Sequence, residues 1–435
     1  TVGHGVSLSN SVLNQVGTPL GQLNLSSSSK LMALLKDSTP DELKQLLLID
    51  PALAQSFWDR PPDSADVAAW WASQDDKQKQ QWCDAIPGII GNLGGIPYTT
   101  RSQVNMAQFL KDTSLDLNLP EKQRMTLLQL KAAIRDSGHT PFQLIDYNLD
   151  TANPKVALAY GDLDTAQTAT WMAPGMDFNA YAATQTWGHA ARNLLAQQRL
   201  LDQTHSHAVV AWLGYNAPDT AYVLGAGAAQ RGATRFASEL DSMFNTRAVN
   251  PDMPPPLVSV TAHSYGTTVA ADALTMTKHQ VSSFVMVGSA GLDGAYVKSY
   301  ADLHVGTVGA PGQGDEQAVY TTNATKDGLA PLGAQVSRRE QPNPQFAGPD
   351  SARLYGAQSF SSDGDHAEGL EDVRGHNPIG NSSQPPGLGN ANPSSGHGYY
   401  DSKTQSLRNI AAATIGEPDQ IDGGTSMTIC TPTEQ

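Results

Sequence analysis

The segment Val258–Gly266, with the sequence VSVTAHSYG, constrains the fold of this chain more than any other. The apolar, β-branched run Leu257–Thr261 predicts a buried strand, and Thr267–Thr277 predicts a helix directly after it. The residues between them match the small-x-Ser-x-Gly pattern of a nucleophile elbow, with Ala in place of the first Gly. Such a turn lifts the hydroxyl of Ser264 above the sheet, at the N-terminus of the helix. We therefore expect Ser264 to be a nucleophile; the alternative is an ordinary turn whose serine caps the helix.

Apolar strands alternate with helices from residue 138 onward. This alternation predicts a mostly parallel sheet with right-handed crossovers and helices on both faces, and we assign it to residues 138–435. An antiparallel hairpin, Phe142–Asn148 and Lys155–Gly161, is expected first. The later strands are predicted at Ala169–Ala173, His207–Leu213, Leu257–Ala262, Phe284–Gly288 and Ala318–Thr322, with helices at Tyr181–Thr204, Arg231–Asn245 and Thr267–His279. Functional residues of such sheets lie beyond the carboxyl ends of strands, where Ser264 is placed.

The first part of the chain has helical periodicity. Residues 1–29 are predicted to be a polar lead-in, and residues 30–137 an all-helical section. The tryptophans of this section exceed what short helices can bury among themselves; they are Trp58, Trp70, Trp71 and Trp82. The join to the strands is too short for free motion. We therefore expect the helical section to pack on the α/β part and to help roof the site.

Charge and composition exclude several classes of partner. The net charge of −15 argues against nucleic acid, and no apolar run approaches the ~20 residues of a membrane span, so stable membrane insertion is not expected. Cys83 and Cys430 either form one bridge or are separate thiols, and their spacing is not that of a zinc site. The first residue, Thr1, leaves open a removed leader or a trimmed chain; secretion or a cell-envelope location is expected, with the cytoplasm as the alternative.

A serine nucleophile needs a base, and the base needs an orienting acid. In proteins with this elbow the acid and the histidine follow the serine in that order. Asp327, after the second strand beyond the elbow, is the predicted acid, and His397, before the helix Asp401–Thr414, is the predicted base. The alternatives left open are Asp315, Glu316, Asp363 and Asp365 for the acid, and His366 and His376 for the base. His263 is expected to pack or hydrogen-bond in the turn.

Acyl transfer also needs donors for the oxyanion that forms. The predicted donors are the backbone N–H groups of Tyr265 and Met176, because Gly175 permits an unusual backbone angle in its loop. The alternative is an ordinary Pro-Gly turn. The residues predicted to form the substrate pocket are Gly175, Phe178, Tyr181 and Tyr215, and Asn216–Gly232 is a candidate flap.

A Gly-, Ser- and Asn-rich stretch, residues 361–398, predicts a long surface loop that borders the site. It contains residue types that bind metals, namely Asp363, Asp365, His366 and Glu368. A solvated polar loop is the preferred interpretation, because acids are common in Gly-rich loops. We therefore predict no metal and no cofactor.

Four segments occur in an order that resembles an actinobacterial alpha/beta-hydrolase family of unknown function. They are Met172–Met176, Trp212–Pro218, Ala262–Gly266 and Val287–Gly291. The helical section resembles the same family in Phe57-Trp58, Val67–Trp71 and Gly91–Pro97. The resemblance covers about residues 50–330 and implies the alpha/beta-hydrolase fold with Ser264 as the nucleophile, but no substrate. Ala262 departs from the glycine that is more frequent in the family.

Together these features predict a serine hydrolase that cleaves small-molecule or lipid carboxylic esters through an acyl-enzyme on Ser264. The apolar residues near the mouth favour an acyl chain over a charged group. Two alternatives stay open: acyl transfer to a cell-envelope lipid or sugar, and a non-catalytic binding protein on a hydrolase fold. The oligomeric state is not predicted.

Overall fold

The computed structural model describes residues 28–114, 118–219, 227–308, 316–380, 396–421 and 428–429. Within these residues, nine strands form one sheet in the order β1-β2-β4-β3-β5-β6-β7-β8-β9. The strands are β1 (Phe142–Asn148), β2 (Lys155–Tyr160), β3 (Thr168–Ala173), β4 (His207–Leu213), β5 (Leu257–His263), β6 (Ser283–Val287), β7 (Val319–Thr322), β8 (Gln358–Ser359) and β9 (Thr428–Ile429).

The central strands of the sheet are parallel, and the strands on either side of them pair antiparallel. Strands β4, β3, β5, β6, β7 and β8 run parallel to one another. The pairs β1–β2, β2–β4 and β8–β9 are antiparallel. Every residue of β2, β3 and β4 is buried, as expected for strands covered on both faces. The predicted mostly parallel sheet is confirmed, and β8 and β9 were missed because two residues carry no periodicity.

Helices cover the sheet on both faces. In the α/β part these are α9 (Ala180–Leu201), α10 (Gly227–Ala248), α11 (Gly266–Met276), α12 (Leu329–Ser337) and α13 (Gln405–Thr414). Helix α9 packs against α13, and α10 packs against α11. Each of α9, α10 and α11 connects two parallel strands, so the carboxyl ends of β3, β4, β5 and β6 meet at one edge of the sheet. That edge carries Ser264.

The described part of the N-terminal section contains helices as predicted. They are α1 (Ser28–Asp37), α2 (Pro40–Ile49), α3 (Ala52–Asp59), α4 (Ser64–Ala72), α5 (Asp76–Ala85), α6 (Pro87–Ile90), α7 (Tyr98–Ser114) and α8 (Glu121–Asp136). The buried apolar residues between Leu31 and Ile96 form a core of their own. Apolar residues of α7 and α8, among them Tyr98 and Leu130, belong to the core of the sheet instead.

The tryptophans of this section are buried differently from the prediction. Trp70, Trp71 and Trp82 pack together inside the helical core, with ring centroids 5.9 Å apart for Trp70–Trp71 and 5.1 Å for Trp70–Trp82. The three rings belong to the core of the helical section, so the helices bury them among themselves, contrary to the prediction. Helix α4, which carries Trp70 and Trp71, nevertheless packs against α10. Trp58 does face the α/β part, because the guanidinium of Arg235 lies 3.9 Å from its ring centroid.

Two other predictions concern residues that are only partly described. Cys83 is half-buried, and Cys430 lies outside the described residues, so the alternatives for these thiols stay open. Residues 220–226 of the candidate flap and the alternative acid Asp315 also lie outside them. None of the helices in the described ranges is both long and apolar enough to cross a membrane.

Candidate active site

Ser264 occupies the tight turn between β5 and α11. Its φ of 56° lies in the left-handed region, which residues other than glycine adopt rarely and at a cost in strain. The Ser264 N–H donates to the carbonyl of Val287, 2.9 Å away, and so ties the turn to the end of β6. A Cβ at Gly266 would lie 2.5 Å from the carbonyl oxygens of Ala173 and Pro174. Glycine is therefore required two residues after the serine, as the elbow pattern predicts.

The ring of His376 bridges Ser264 and Asp327. Its Nε2 lies 2.7 Å from the Ser264 Oγ, and its Nδ1 lies 2.8 Å from the Asp327 Oδ2. All three residues are buried. Because a carboxylate accepts hydrogen bonds, Nδ1 carries the proton, and Nε2 is left to accept the proton of the serine hydroxyl. A serine, a histidine and an aspartate in this arrangement have the geometry of a catalytic triad.

The structure corrects the predicted base from His397 to His376. His397 lies in a segment that pairs with the segment of His376: its carbonyl accepts the Arg374 N–H at 2.9 Å, and the Tyr399 N–H donates to Asn377 at 3.2 Å. The His397 ring is half-exposed, and the position between serine and aspartate is filled by His376. Both histidines precede the last helix and follow a glycine, so the local sequence does not distinguish them.

Asp327 follows β7, at the position predicted for the acid, and caps α12. Its Oδ1 accepts the N–H groups of Leu329 and Ala330, each at 3.1 Å, and its Oδ2 also accepts the hydroxyl of Tyr399 at 2.7 Å. Burial opposes ionisation, but the His376 ring, the Tyr399 hydroxyl and the backbone donors outweigh it and hold the pKa of Asp327 below its ordinary value. The carboxylate is therefore charged at neutral pH.

His263, next to the nucleophile, holds the backbone of His376. Its Nε2 lies 2.7 Å from the His376 carbonyl oxygen, and the two rings are 4.8 Å apart. Burial and the neighbouring His376 lower the pKa of His263 to about 3, so the ring is neutral and Nε2 carries its hydrogen. The sequence predicts packing or a hydrogen bond of His263 in the turn, and the structure shows a hydrogen bond to the segment of His376.

The loop after β3 lies directly over the serine. A Cβ at Gly175 would be 2.7 Å from the Ser264 Cβ and 3.3 Å from its Oγ. Asp177 has a φ of 60°, and its N–H donates to Pro218 at 3.0 Å, so the loop turns sharply beside the nucleophile. The N–H groups of Met176 and Tyr265 stay the predicted donors.

The predicted pocket residues take different positions around this loop. Tyr215 is buried, and its hydroxyl donates to the Pro174 carbonyl at 2.8 Å, so it braces the loop. Phe178 packs edge-on against Trp187, with centroids 5.8 Å apart. The Lys122 Nζ lies 4.9 Å from the centroid of the half-exposed Tyr181 ring. Gly175 therefore lies in the loop over the serine, and Tyr215 contacts that loop. Phe178 and Tyr181 remain predicted pocket residues.

The polar stretch that suggested a metal shows ordinary loop contacts. Asp365 accepts the N–H groups of Ala367 and Glu368 at 3.0 and 3.4 Å, and Asp363 accepts the N–H of Thr325 at 2.8 Å. In the described ranges, no three or more His, Cys, Asp or Glu residues are grouped so as to hold a metal ion. Neither aspartate takes the position that Asp327 occupies.

Residues 150–324 match the model of a family described as alpha/beta hydrolase. This part of the chain has the alpha/beta-hydrolase fold. The match includes β2 to β7 and Ser264, whereas Asp327 and His376 lie beyond it. The strand order with its antiparallel second strand agrees with this assignment, which confirms the expected fold.

Relatives among curated proteins are bacterial. Uncharacterized proteins from two strains of Mycobacterium tuberculosis are 26% identical over 401 residues, covering 83% of this chain and 57% of theirs. The chain therefore spans little more than half the length of these relatives. Their origin agrees with the actinobacterial resemblance of the sequence.

Solved structures with some likeness include hydrolases. An esterase from the archaeon Pyrobaculum calidifontis is 15% identical, with a TM-score of 0.34, over 71% of this chain and 96% of that one. An arylesterase is 10% identical, with a TM-score of 0.33, over 72% and 96%. A dienelactone hydrolase from Anabaena variabilis is 11% identical, with a TM-score of 0.29, over 51% and 86%.

Proposed function

We propose that this protein is a serine hydrolase that cleaves carboxylic esters through an acyl-enzyme on Ser264. The observation that carries the proposal is the His376 ring, which lies within hydrogen-bond distance of both the Ser264 hydroxyl and the Asp327 carboxylate. Geometry of this kind is what a serine needs to become nucleophilic at neutral pH. The alpha/beta hydrolase domain supports the reaction class.

The reaction follows from the roles of the three side chains. His376 takes the proton of Ser264 as Oγ attacks the ester carbonyl carbon, and the resulting oxyanion is stabilised by the N–H groups of Tyr265 and Met176. Collapse of this intermediate breaks the bond to the alkoxy group, and the imidazolium gives its proton to the departing alcohol. Water, deprotonated by His376, then attacks the acyl carbonyl carbon; the bond to Oγ breaks, the acid is released, and the imidazolium returns its proton to Ser264. Asp327 stabilises the imidazolium in both steps.

Labelling with a fluorophosphonate probe tests the nucleophile without any knowledge of the substrate. The wild-type protein should be labelled on Ser264, and Ser264→Ala should not be labelled. His376→Ala should lose labelling by several orders of magnitude in rate, whereas His397→Ala, its matched control, should label like the wild type. Absence of labelling in the folded wild-type protein, or loss in His397→Ala alone, would contradict the proposal.

Hydrolysis of p-nitrophenyl esters tests the reaction and the acyl group. Esters of acetate to dodecanoate, compared for the wild type and Ser264→Ala, should show release of nitrophenol and of the free acid that depends on the serine. Equal rates for the two proteins would exclude the serine mechanism. A transferred acyl group in the presence of an acceptor alcohol, with little free acid, would instead identify an acyltransferase.

A further inference from the structure

A cavity of about 400 Å³ opens at the edge of the sheet that carries Ser264, a size typical of small-molecule sites. It lies where β1 and β4 end and β2 begins, and its walls come from α3, the loops at those strand ends and the first turns of α10. Its charged lining consists of Asp59, Arg60, Lys155, Arg231 and Arg235. We call it the cationic cavity.

The charge of Arg235 is balanced inside the protein. Its Nη2 lies 3.0 Å from the Asp146 Oδ1 and 2.5 Å from the Glu239 Oε1. The remaining lining has three cations against the single carboxylate of Asp59. The whole chain carries a net charge of −15, so the cavity is a positive region on a strongly acidic protein. A concave region of one sign concentrates small ions of the opposite sign.

Lys155 is a buried cation that forms no ion pair within the described residues, although the carboxylate of Asp59 acts on it at longer range. It is the first residue of β2 and only 7% exposed, and its Nζ contacts the Asn153 carbonyl and, at 2.5 Å, the Asn216 Oδ1. Both acceptors are neutral, and in the described ranges no carboxylate forms an ion pair with Lys155 or with Arg231. An ammonium group has three N–H donors, so one is left for a ligand. Burial of a cation without an ion-pair partner is costly, and a bound anion would offset that cost.

The cationic cavity is one loop away from the nucleophile. Tyr215 forms part of its wall and donates to the Pro174 carbonyl at 2.8 Å. The next residue of that loop, Gly175, lies against Ser264. Tyr215 therefore connects the cavity to the loop that lies over the serine.

We propose that the cationic cavity binds the anionic group of a small molecule, a carboxylate, sulfate or phosphate, through Lys155 and Arg231. The anion is either part of the ester substrate or a separate ligand, and the experiment has one arm for each. The binding itself does not depend on the hydrolase function. If the anion belongs to the substrate, the preferred ester carries a negative charge at one end, and this part of the inference rests on the proposed function.

The first arm measures binding of inorganic phosphate to the full chain by calorimetry and by thermal unfolding. Sodium chloride at matched ionic strength controls for general salt effects. Phosphate should bind saturably to the wild type and raise its Tm, and Arg231→Gln and Lys155→Met should each weaken binding at least tenfold. Arg199→Gln removes another exposed arginine, on α9, and should bind like the wild type. No saturable binding, or equal binding in all four proteins, would overturn the proposal. If Lys155→Met misfolds, the test still holds, because Arg231 is exposed and its replacement should not prevent folding.

The second arm identifies the source of the anion. Mono-p-nitrophenyl adipate and p-nitrophenyl hexanoate differ by a terminal carboxylate on acyl chains of equal length. If the cavity belongs to the substrate site, kcat/KM should be at least tenfold higher for the adipate than for the hexanoate. Arg231→Gln should abolish this preference and leave the rate with the hexanoate unchanged. Equal rates for both esters, together with binding of phosphate that depends on Lys155 and Arg231, would assign the cavity to a separate anion. The first arm needs no turnover, so failure of the proposed function and failure of this proposal remain distinguishable.

Discussion

Two buried aspartates towards opposite edges of this sheet differ in the partners that hold their charge. Asp327, at the candidate active site, and Asp146, in β1, are each inaccessible to solvent or nearly so, at 2% and 0% exposure. The pKa of Asp327 is lowered, whereas the pKa of Asp146 is raised to about 7. Burial raises the pKa of a carboxyl group in both cases, so the difference lies in the partners.

Asp327 receives four hydrogen bonds, two on each oxygen. Leu329 and Ala330 donate to Oδ1, and His376 and Tyr399 donate to Oδ2. The donors lie at the start of α12 and in the two loops that contain His376 and Tyr399. Because each oxygen accepts two hydrogen bonds, the carboxylate stays ionised, as its role beside an imidazolium requires.

Asp146 shares a buried cluster with three charged residues. Its Oδ1 pairs with Arg101 of α7 at 2.8 Å and with Arg235 of α10 at 3.0 Å. Its Oδ2 has no hydrogen-bond partner in the described residues, and burial together with the Glu239 carboxylate raises its pKa. The register of β1 shifts between Leu144 and Asp146, an irregularity typical of a β-bulge that redirects a side chain. The cluster joins the helical section to the sheet. Asp146 therefore helps to attach the helices, whereas Asp327 lies at the candidate active site.

The largest expected effect is the loss of activity in Asp327→Asn. The amide keeps the shape of the side chain but cannot stabilise the imidazolium, so kcat for a p-nitrophenyl ester should fall about 10⁴-fold. The Tm should change little. Asp363→Asn alters an alternative acid that contacts Thr325 instead, and it should keep full activity. A fall of less than tenfold in Asp327→Asn would contradict the assignment of the acid.

The second effect is the loss of stability in Arg101→Met. Arg101 is fully buried, and its removal leaves Asp146 and Glu239 with Arg235 alone in the described cluster. Breaking a buried ion pair in this way costs about 3–5 kcal/mol, which urea unfolding would measure, while kcat at low temperature should be unchanged. Arg124→Met, at an exposed position of α8, should cost less than about 0.5 kcal/mol. Equal stability of the two variants would show that the cluster does not hold the helices.

The contrast between these regions also explains what the sequence could predict. The strands and the elbow follow from local patterns, and Asp327 follows from the strand count after Ser264. Arg101 lies 45 residues from Asp146 and 138 from Glu239, and each looks like an ordinary charged residue of its own segment. These ion pairs form only when the chain has folded, so no local sequence pattern predicts them.

The choice between His376 and His397 failed for a related reason. The two segments pair through hydrogen bonds such as Arg374 to His397, which brings both histidines to the same end of the sheet. Which ring turns towards Ser264 depends on that pairing and on the bond from His263 to the His376 carbonyl. Neither contact is visible as spacing along the chain.

The third effect is a pH dependence of stability that comes from Asp146. Its pKa is about 7 in the folded protein and about 3.9 when unfolded. A raised pKa means that its stabilising contribution is complete below pH 4 and is lost as the pH rises through 7. Asp146→Asn cannot ionise, so between pH 5 and 8 its free energy of unfolding should decrease less than that of the wild type, by on the order of 3 kcal/mol.

Other buried groups make the comparison with the variant necessary. Burial and the nearby Asp293 raise the pKa of Asp272 to about 7 as well, which adds a slope of the same sign. His263, with a pKa lowered to about 3, acts in the opposite direction, because below pH 6.5 the unfolded state gains its proton first. Urea unfolding of the wild type and Asp146→Asn at each pH separates the contribution of Asp146, together with that of Glu239, whose ionisation is linked to it, from those of the other groups. Parallel curves for the two proteins would refute it.

The smallest effect sharpens the description of Asp327. Tyr399 donates to the Asp327 Oδ2 and accepts the Ala324 N–H at 3.0 Å, and burial raises its own pKa, so its hydroxyl stays protonated. Tyr399→Phe removes one of four donors and should raise the pKa of Asp327 towards the ordinary value. Loss of a hydrogen bond to a charged group costs about 1.5 kcal/mol or more, so kcat should fall about tenfold, and the acid limb of the kcat/KM profile should move to higher pH. Tyr400→Phe is the matched control, since this buried neighbour contacts the Thr261 hydroxyl at 2.8 Å instead. A similar loss in both variants, with no shift of the acid limb in Tyr399→Phe, would mean that Tyr399 supports packing and not the charge of Asp327.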